Sequence, residues 1–283
     1  MNNIYDILQS VDFASPQIIN AAKKYTHLYQ IDRPNILITL LLKTSINQYW
    51  TNRINNLIKL IRKLQKYYHT TAPINITIIP TTLKKQLPKV RHQIIGVNEC
   101  NSGATISYHH TKSIIIWREE ELEKVLIHEF IHYYGLDKTV KGSSRDYRES
   151  YTETLATVWY TKDLTQECQH SLENLARLIQ YWYGKEYPVI TKRRPIPKGI
   201  EGKVSEETSV IGYYWIKAAV LYQLVNGDMK LNMKKITGSE YMKLARKGIR
   251  DEGFQTALKG EYEKNRGGRS LRMTAAVAAK NKN

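Results

Sequence analysis

The sequence has few cysteines, few acidic residues and no long apolar run. Its 283 residues include only two cysteines, Cys100 and Cys168, which are far apart and belong to no motif. This scarcity excludes a disulfide framework, and it excludes metal or iron–sulfur sites built from several cysteines. Two isolated thiols are typical of proteins from a reducing compartment.

No segment is apolar enough over its length to suggest a membrane span. The run Ile36 to Leu42 is interrupted by Thr39 and is far shorter than the ~20 residues that a spanning helix needs. Val210 to Val225 is longer, but it contains Lys217 and Gln223. We therefore expect a buried or amphipathic helix there and no interaction with a membrane.

The first residues, MNNIYDILQSVDFASPQ, have no basic start, no apolar stretch of signal-peptide length and no small-residue cleavage site. We expect an intracellular protein, cytoplasmic or nuclear, that is not secreted. The abundance of Ile, Lys, Asn and Tyr is typical of A/T-rich genomes, such as those of some large DNA viruses. Packaging in a virion is therefore one of the locations that the composition suggests.

Acidic residues are outnumbered by basic ones, 26 against 43, which gives a formal net charge of +17. Such a charge suggests nucleic acid as a partner of the basic surface, or a substrate that is itself acidic. We find no zinc-finger, helix-turn-helix or RNA-recognition signature to support a specific nucleic-acid domain. The basic residues are spread, with local clusters at 59–66, 84–91, 192–198, 246–250 and 264–272.

Three regions are predicted along the chain. Residues 1–70 are predicted to be a helical N-terminal part. Ser15-Pro16 is a typical helix start, for a helix to about Tyr29, and an apolar helical spacing follows Ser45. Residues 71–263 are predicted to be the catalytic domain, and the basic tail 264–283 is predicted to be flexible.

Within the central region the pattern changes from strands to helices. Short β-branched runs predict a small sheet over residues 74–117, with strands at 74–79, 94–97, 104–108 and 113–117. A strongly helical segment follows at 119–134 and ends before Gly135. The pattern after Tyr147 is helical again, so the fold class is predicted to be α+β.

The helical segment contains His128-Glu129-Phe130-Ile131-His132, an HExxH motif. Residues four apart lie on one face of a helix, so both imidazoles can bind one metal ion. Glu129, beside the first histidine, can accept a proton from a metal-bound water. A chance HExxH in a chain with this His and Glu content has a probability of about 1 in 70.

The context of the motif is that of a buried helix. Four glutamates at 119, 120, 121 and 123 are expected in its first turns, where they would favour the positive helix end. Gly135 suits a left-handed helix stop. His128 and His132 are therefore predicted to be ligands of one zinc ion per chain, and Glu129 a catalytic residue.

This pattern resembles the HExxH zinc metallopeptidases, the zincins. The resemblance covers about residues 74–160 and implies a small mixed sheet before the motif helix. It also implies that the last, edge strand binds an extended peptide substrate; Ser113–Trp117 is the expected edge strand. The chain is thus predicted to be a zincin-like peptidase with helical N-terminal and C-terminal parts.

A catalytic zinc needs a third protein ligand. In the metzincin branch this ligand follows the glycine by three residues, but Lys138 stands there, and an ammonium cannot bind zinc. The gluzincin branch uses a glutamate on a second helix, and Glu153, in an ExxA pattern with Ala156, fits this best. Glu149, four residues earlier, is the alternative ligand or a supporting carboxylate. Asp146 is a weaker third option.

Zinc peptidases usually stabilise the oxyanion with a Tyr, His or Arg. By the same resemblance, Tyr213 and Tyr214, on a predicted helix downstream of the third ligand, are candidates for this catalytic role. Packing of these rings is the competing interpretation.

Two classes of function remain. The first is a zinc-dependent peptidase that hydrolyses a peptide or protein substrate with Glu129 as general base. The second is a basic binding or structural protein with a zincin-like fold, associated with nucleic acid or packaged in a virion, that lacks peptidase activity. An intact Glu129 beside the histidines favours the enzyme, because a structural zinc site has no use for a general base.

Overall fold

The structure is a computed structural model that describes residues 8–9, 14–90, 93–108, 111–140, 145–190, 210–227, 232–264 and 269–275. The strands are β1 (His27–Arg33), β2 (Ile36–Leu42), β3 (Ile74–Thr81), β4 (Gly103–Tyr108) and β5 (Thr111–Arg118). The helices of the first half are α1 (Pro16–Ala22), α2 (Gln48–Tyr67), α3 (Val97–Cys100) and α4 (Leu122–Tyr133). Those of the second half are α5 (Arg145–Tyr160), α6 (Leu164–Tyr183), α7 (Val210–Asn226), α8 (Gly238–Gly248) and α9 (Glu252–Glu263).

The fold is α+β, with a five-stranded mixed sheet, which confirms the predicted fold class at this level. The chain forms two compact units. Unit 1 comprises Met1–Leu83 and Asn101–Tyr134, and unit 2 comprises Lys84–Cys100 and Gly135–Asn283. Unit 1 contains the sheet with α1, α2 and α4, whereas the described part of unit 2 is helical.

The sheet of unit 1 has the order β1-β2-β3-β5-β4. The three central strands are parallel, while β1 and β4 at the two edges are antiparallel to their neighbours. The central strands are rich in isoleucine, and most of their side chains are buried, as expected for parallel strands covered on both faces. The sheet precedes the motif helix, as the sequence predicted.

The edge strand is not the predicted one. We expected Ser113–Trp117 at the edge, but this segment lies in β5, between β3 and β4. β4, which precedes β5 in the chain, folds back on it as a hairpin and takes the edge position. The order along the chain alone could not distinguish these two arrangements.

The prediction of a wholly helical N-terminal part was wrong. The helix that begins at Pro16 ends at Ala22, not near Tyr29, and His27–Arg33 is a strand. β1 and β2 pair over their whole lengths around Pro34 and Asn35, with Asn35 at φ 62°. Proline followed by a residue in the left-handed region is a typical tight-turn pattern. The predicted boundary at residue 70 therefore cuts through unit 1.

The predicted helix after Ser45 is confirmed as α2. Asn47 caps its first turn by accepting a hydrogen bond from the Trp50 backbone N–H at 3.1 Å. Its apolar side, with Leu57 and Ile61 fully buried, packs into unit 1. The opposite side of α2 is exposed and carries amide and basic side chains.

Unit 2 is built on helices that pack along α7. The prediction of a buried helix at Val210–Val225 is confirmed, since most side chains of α7 are buried. Gly212 allows close packing against Asp146 of α5, because a Cβ there would lie 2.6 Å from a carboxylate oxygen. No helix within the described residues is both long and apolar enough to cross a bilayer.

One further prediction in unit 2 was wrong. Residues 94–97 form no strand; Ile95 is fully buried in a loop and α3 starts at Val97. In the described part of the tail, Leu271 and Thr274 are fully buried, and the flexibility of the tail as a whole stays a prediction. The residues beyond 275, and the basic cluster 192–198, lie outside the described part of the chain.

Candidate metal centre

The predicted motif helix is confirmed as α4, with a later start. Arg118 ends β5, and the helix begins only at Leu122, after Glu121 in the left-handed region at φ 61°. Leu126 and Phe130 are fully buried, which fixes the rotation of the helix in unit 1. Gly135 has φ 66° and follows the helix end, as the sequence predicted.

Unit 1 brings the two motif histidines together. The Nε2 atoms of His128 and His132 are 3.1 Å apart, and both side chains are half-buried. Two nitrogen ligands at 2.0–2.1 Å from a tetrahedral zinc ion would be about 3.3 Å apart. The separation of the two nitrogens is therefore close to that of two ligands on one zinc ion, and it is also that of a hydrogen bond between the imidazoles.

Glu129 lies between them in sequence and is held by the edge strand. The Thr105 hydroxyl of β4 is 2.9 Å from the Glu129 carboxylate and 3.0 Å from its backbone oxygen. A hydroxyl has one hydrogen to donate, so these two acceptors share it. Gly103, also on β4, allows close packing here, because a Cβ there would lie 2.9 Å from the Ile115 carbonyl oxygen and 3.4 Å from the Cγ atom of Glu129.

The C-terminal end of α4 is anchored by side chains of unit 1. The Lys112 ammonium of β5 donates to the carbonyls of His132, at 3.4 Å, and Tyr133. A cation at the carbonyl end of a helix is favourable. The Tyr133 hydroxyl donates to the Pro73 carbonyl at 2.8 Å, and burial raises the pKa of this tyrosine.

The N-terminal end of α4 is held by Arg53 of α2. Its guanidinium bonds both carboxylate oxygens of Glu123, at 2.6 and 3.0 Å, and one of Glu119 at 3.1 Å. Burial alone would lower the pKa of Arg53, but the hydrogen bonds and charge of Glu123 outweigh it and raise the pKa. Of the four glutamates expected in the first turn, only Glu123 is there; Glu119 precedes the helix.

The candidate third ligands lie on α5 of unit 2. Glu153 is 3% exposed, and its carboxylate is 3.4 Å from the ammonium of Lys217 on α7, which is 2% exposed. The same ammonium donates to the Met273 carbonyl at 2.6 Å. Within unit 2, Glu153 is therefore part of a buried ion pair.

Glu149 has a different environment in unit 2. Its side chain is 28% exposed, and the Nε atom of Arg145, one turn earlier on α5, lies 4.0 Å from its carboxylate. The Asp146 carboxylate packs against Gly212. Glu149 is therefore more accessible than Glu153, while Asp146 is half-buried like Glu149.

The two candidate oxyanion tyrosines also differ in burial. Tyr214 is buried, and its hydroxyl donates to the Leu271 carbonyl at 2.8 Å. Tyr213 is half-buried, with its ring 5.0 Å from that of Tyr214. The contacts of Tyr214 are those of a packing residue, so Tyr213 is the better candidate.

Sequence reasoning missed Thr105, Lys112 and Arg53, and gave Lys217 no partner. Lys217 had a visible signal, because a single cation in an apolar helix needs a buried anion. The other three lie far from the motif in sequence, and no pattern connects them to it.

Comparison of this chain with protein-family models, with curated proteins and with solved structures found no significant match in any of the three.

Proposed function

We propose that this protein is a zinc-dependent peptidase of zincin-like architecture. The observation that carries the proposal is the 3.1 Å separation of the His128 and His132 Nε2 atoms, with Glu129 beside them on a buried helix. This donor set fits zinc, and a carboxylate of α5 would complete it. Zinc, when bound, would polarise the scissile carbonyl and make a water molecule more acidic.

Glu129 would act as the general base. Its carboxylate takes a proton from the attacking water, whose oxygen bonds to the carbonyl carbon, and returns the proton to the amine as the C–N bond breaks. The Thr105 hydroxyl positions this carboxylate. Since Thr105 belongs to the edge strand, an extended substrate pairing with β4 would lie beside the base.

For the third ligand we propose Glu149 in place of the sequence-based first choice, Glu153. The carboxylate of Glu153 already compensates the buried charge of Lys217, and the ammonium would compete with a metal for the same oxygen lone pairs. Glu153 then serves to hold α5 against α7. Tyr213 is retained as the candidate oxyanion donor.

The decisive experiment compares Glu129→Gln with wild type in zinc content and in cleavage of a pool of synthetic peptides. We expect the variant to retain one zinc per chain and to lose at least about 100-fold in kcat/KM. Glu263→Gln, the same change at an exposed site on α9, is the matched control and should be fully active. Unchanged cleavage by Glu129→Gln would overturn the mechanism.

The ligand assignment is tested separately. Glu149→Gln should weaken zinc binding, whereas Glu153→Gln should mainly reduce the stability of the fold. The reverse result would exchange their roles and leave the peptidase proposal standing. If wild type binds no zinc and cleaves no peptide, but binds polyanions equally well with and without a chelator, the second hypothesis, a basic binding protein, is correct.

A further inference from the structure

The exposed side of α2 has an unusual composition. The helix contains no aspartate or glutamate along its 20 residues. Its basic side chains, apart from Arg53, are exposed, and so are most of its amide side chains. We call the following set the α2 face: Gln48, Asn52, Asn55, Asn56, Lys59, Arg62, Lys63 and Lys66.

These residues recur at intervals of three and four, so they share one side of the helix. At 1.5 Å per residue, the amides occupy about 12 Å of the axis and the basic residues about 10 Å beyond them. Gln48 and Asn52 are hydrogen-bonded at 2.8 Å, as neighbours one turn apart should be. The α2 face is therefore a continuous ridge, amide-bearing at one end and cationic at the other.

The positive charge of the α2 face is not balanced by exposed acidic groups in the described part of unit 1. Of the carboxylates described there, only Asp32 is exposed; the others are half-buried or buried. Glu119 and Glu123 are directed to Arg53, on the other side of α2. All four basic side chains of the ridge are exposed.

We propose that the α2 face binds the phosphodiester backbone of a nucleic acid. Lys and Arg neutralise phosphates, and asparagine amides donate to phosphate oxygens or reach base edges. An anionic membrane would also attract the cations, but a membrane-binding helix inserts an apolar side. The apolar side of α2 is largely buried in unit 1, and every side chain of the α2 face is an amide or a cation.

The test uses the full-length protein and a fluorescent 20-base-pair DNA duplex, with binding followed by anisotropy at 50 to 200 mM salt. In K59A/R62A/K63A/K66A we expect the slope of log K against log salt to become less steep by about 3.6, at 0.9 per lost phosphate contact. The ratio of wild-type to variant affinity should then fall about 150-fold across this salt range. R62A/K66A should show half of the change in slope.

The matched control, K235A/K243A/R246A/K247A, removes the same charge from exposed positions of unit 2. It should leave the slope within about one contact of wild type. N52A/N55A/N56A should weaken binding without changing the slope, because amides release no counterions. K59R/K63R/K66R should bind as wild type does. Circular dichroism melting verifies the fold of each variant.

Equal losses in the control and in the α2 variant would assign binding to net charge and overturn the proposal. So would stronger binding to phosphatidylserine vesicles, or to polyglutamate, than to DNA. A parallel titration with a 20-nucleotide single-stranded RNA distinguishes duplex from single-strand binding, and tighter binding to either supports the proposal.

Discussion

The histidine pair of unit 1 and the ion pair of unit 2 bring polar side chains together in opposite ways. His128 and His132 direct two similar nitrogen atoms at one point, 3.1 Å apart, in a half-buried place. Glu153 and Lys217 carry opposite charges and are almost completely buried. The ion pair joins two opposite charges, whereas the distance between the two imidazole nitrogens suits either a hydrogen bond between them or the metal ion proposed above.

The candidate metal site and the buried ion pair also differ in which groups their supporting contacts use. Thr105 and Lys112 hold α4 and Glu129 in place without using the imidazole nitrogens. By contrast, the carbonyl of Met273 accepts a hydrogen bond from the ammonium of Lys217, which is itself a member of the ion pair. In unit 1 the supporting hydrogen bonds are made to the backbone of α4 and to the carboxylate of Glu129. In unit 2 the supporting hydrogen bond is made by the charged ammonium of Lys217 itself.

The largest effect should come from breaking the ion pair. Lys217→Met would leave the buried carboxylate of Glu153 without its cation, and we expect the free energy of unfolding to fall by about 3–5 kcal/mol. Urea denaturation followed by circular dichroism measures this. The double variant K217M/E153Q removes both charges and should recover most of the loss. A double variant no more stable than the single one would contradict a paired role.

The next largest effect concerns the contact that positions Glu129, the proposed general base. Thr105→Val removes the hydroxyl that contacts Glu129, and we expect kcat/KM for peptide cleavage to fall about 10- to 100-fold through misplacement of the carboxylate. Zinc content should not change, since the histidines are untouched. Thr105→Ser keeps the hydroxyl and should remain near wild type. An equal loss in the serine variant would point to packing of the methyl group.

A smaller effect is expected at the end of the motif helix. Lys112→Met removes the cation at the carbonyls of His132 and Tyr133 and should lower the free energy of unfolding by about 1 kcal/mol. Lys112→Arg retains the charge and serves as the control. Thermal unfolding of both variants at low and moderate salt measures the difference. An unchanged midpoint for Lys112→Met would show that the ammonium does not stabilise α4.

The smallest effect concerns the thiol of Cys168 on α6. Burial raises the pKa of Cys168 to about 12, so at pH 8 only about one thiol in ten thousand is a thiolate. We expect no labelling of Cys168 by iodoacetamide in the native protein and complete labelling after denaturation, as seen by mass spectrometry. Because the raised pKa keeps the thiol neutral, reactivity should begin only as the pH approaches 12. Rapid native labelling would show that α6 opens.

Local patterns were sufficient for the parts of the fold that depend on local physics. The 3.6-residue period predicted α2, α4 and α7, and β-branched runs predicted β3, β4 and β5. The strand β1 was missed because five of its seven side chains are exposed. It is a strand because of its pairing with β2, and the signal for that pairing was the tight turn at Pro34 and Asn35.

The residues of the candidate site that lie close together in the sequence could be predicted, and the more distant ones could not. His128, Glu129 and His132 lie within five residues, and helix geometry alone brings the two imidazoles together. Thr105 reaches Glu129 only because β4 turns back to the sheet edge, which no local pattern states. The choice between Glu149 and Glu153 needed the position of Lys217, 64 residues after Glu153.

The order of the chain segments determines when each of the two units can complete its folding during synthesis. The last residue of unit 1 is Tyr134, but the excursion Lys84–Cys100 belongs to unit 2 and contacts residues made much later. Leu87 hydrogen-bonds the backbone of Arg269, and Tyr181 donates to the Val90 carbonyl. At ribosomal rates of about 5–20 residues per second, Val90 waits about 5 to 18 seconds for Tyr181, 91 residues later, and Leu87 waits about 9 to 36 seconds for Arg269, 182 residues later. The helix with the histidines can therefore fold while the excursion is still open to solvent, chaperones and proteases.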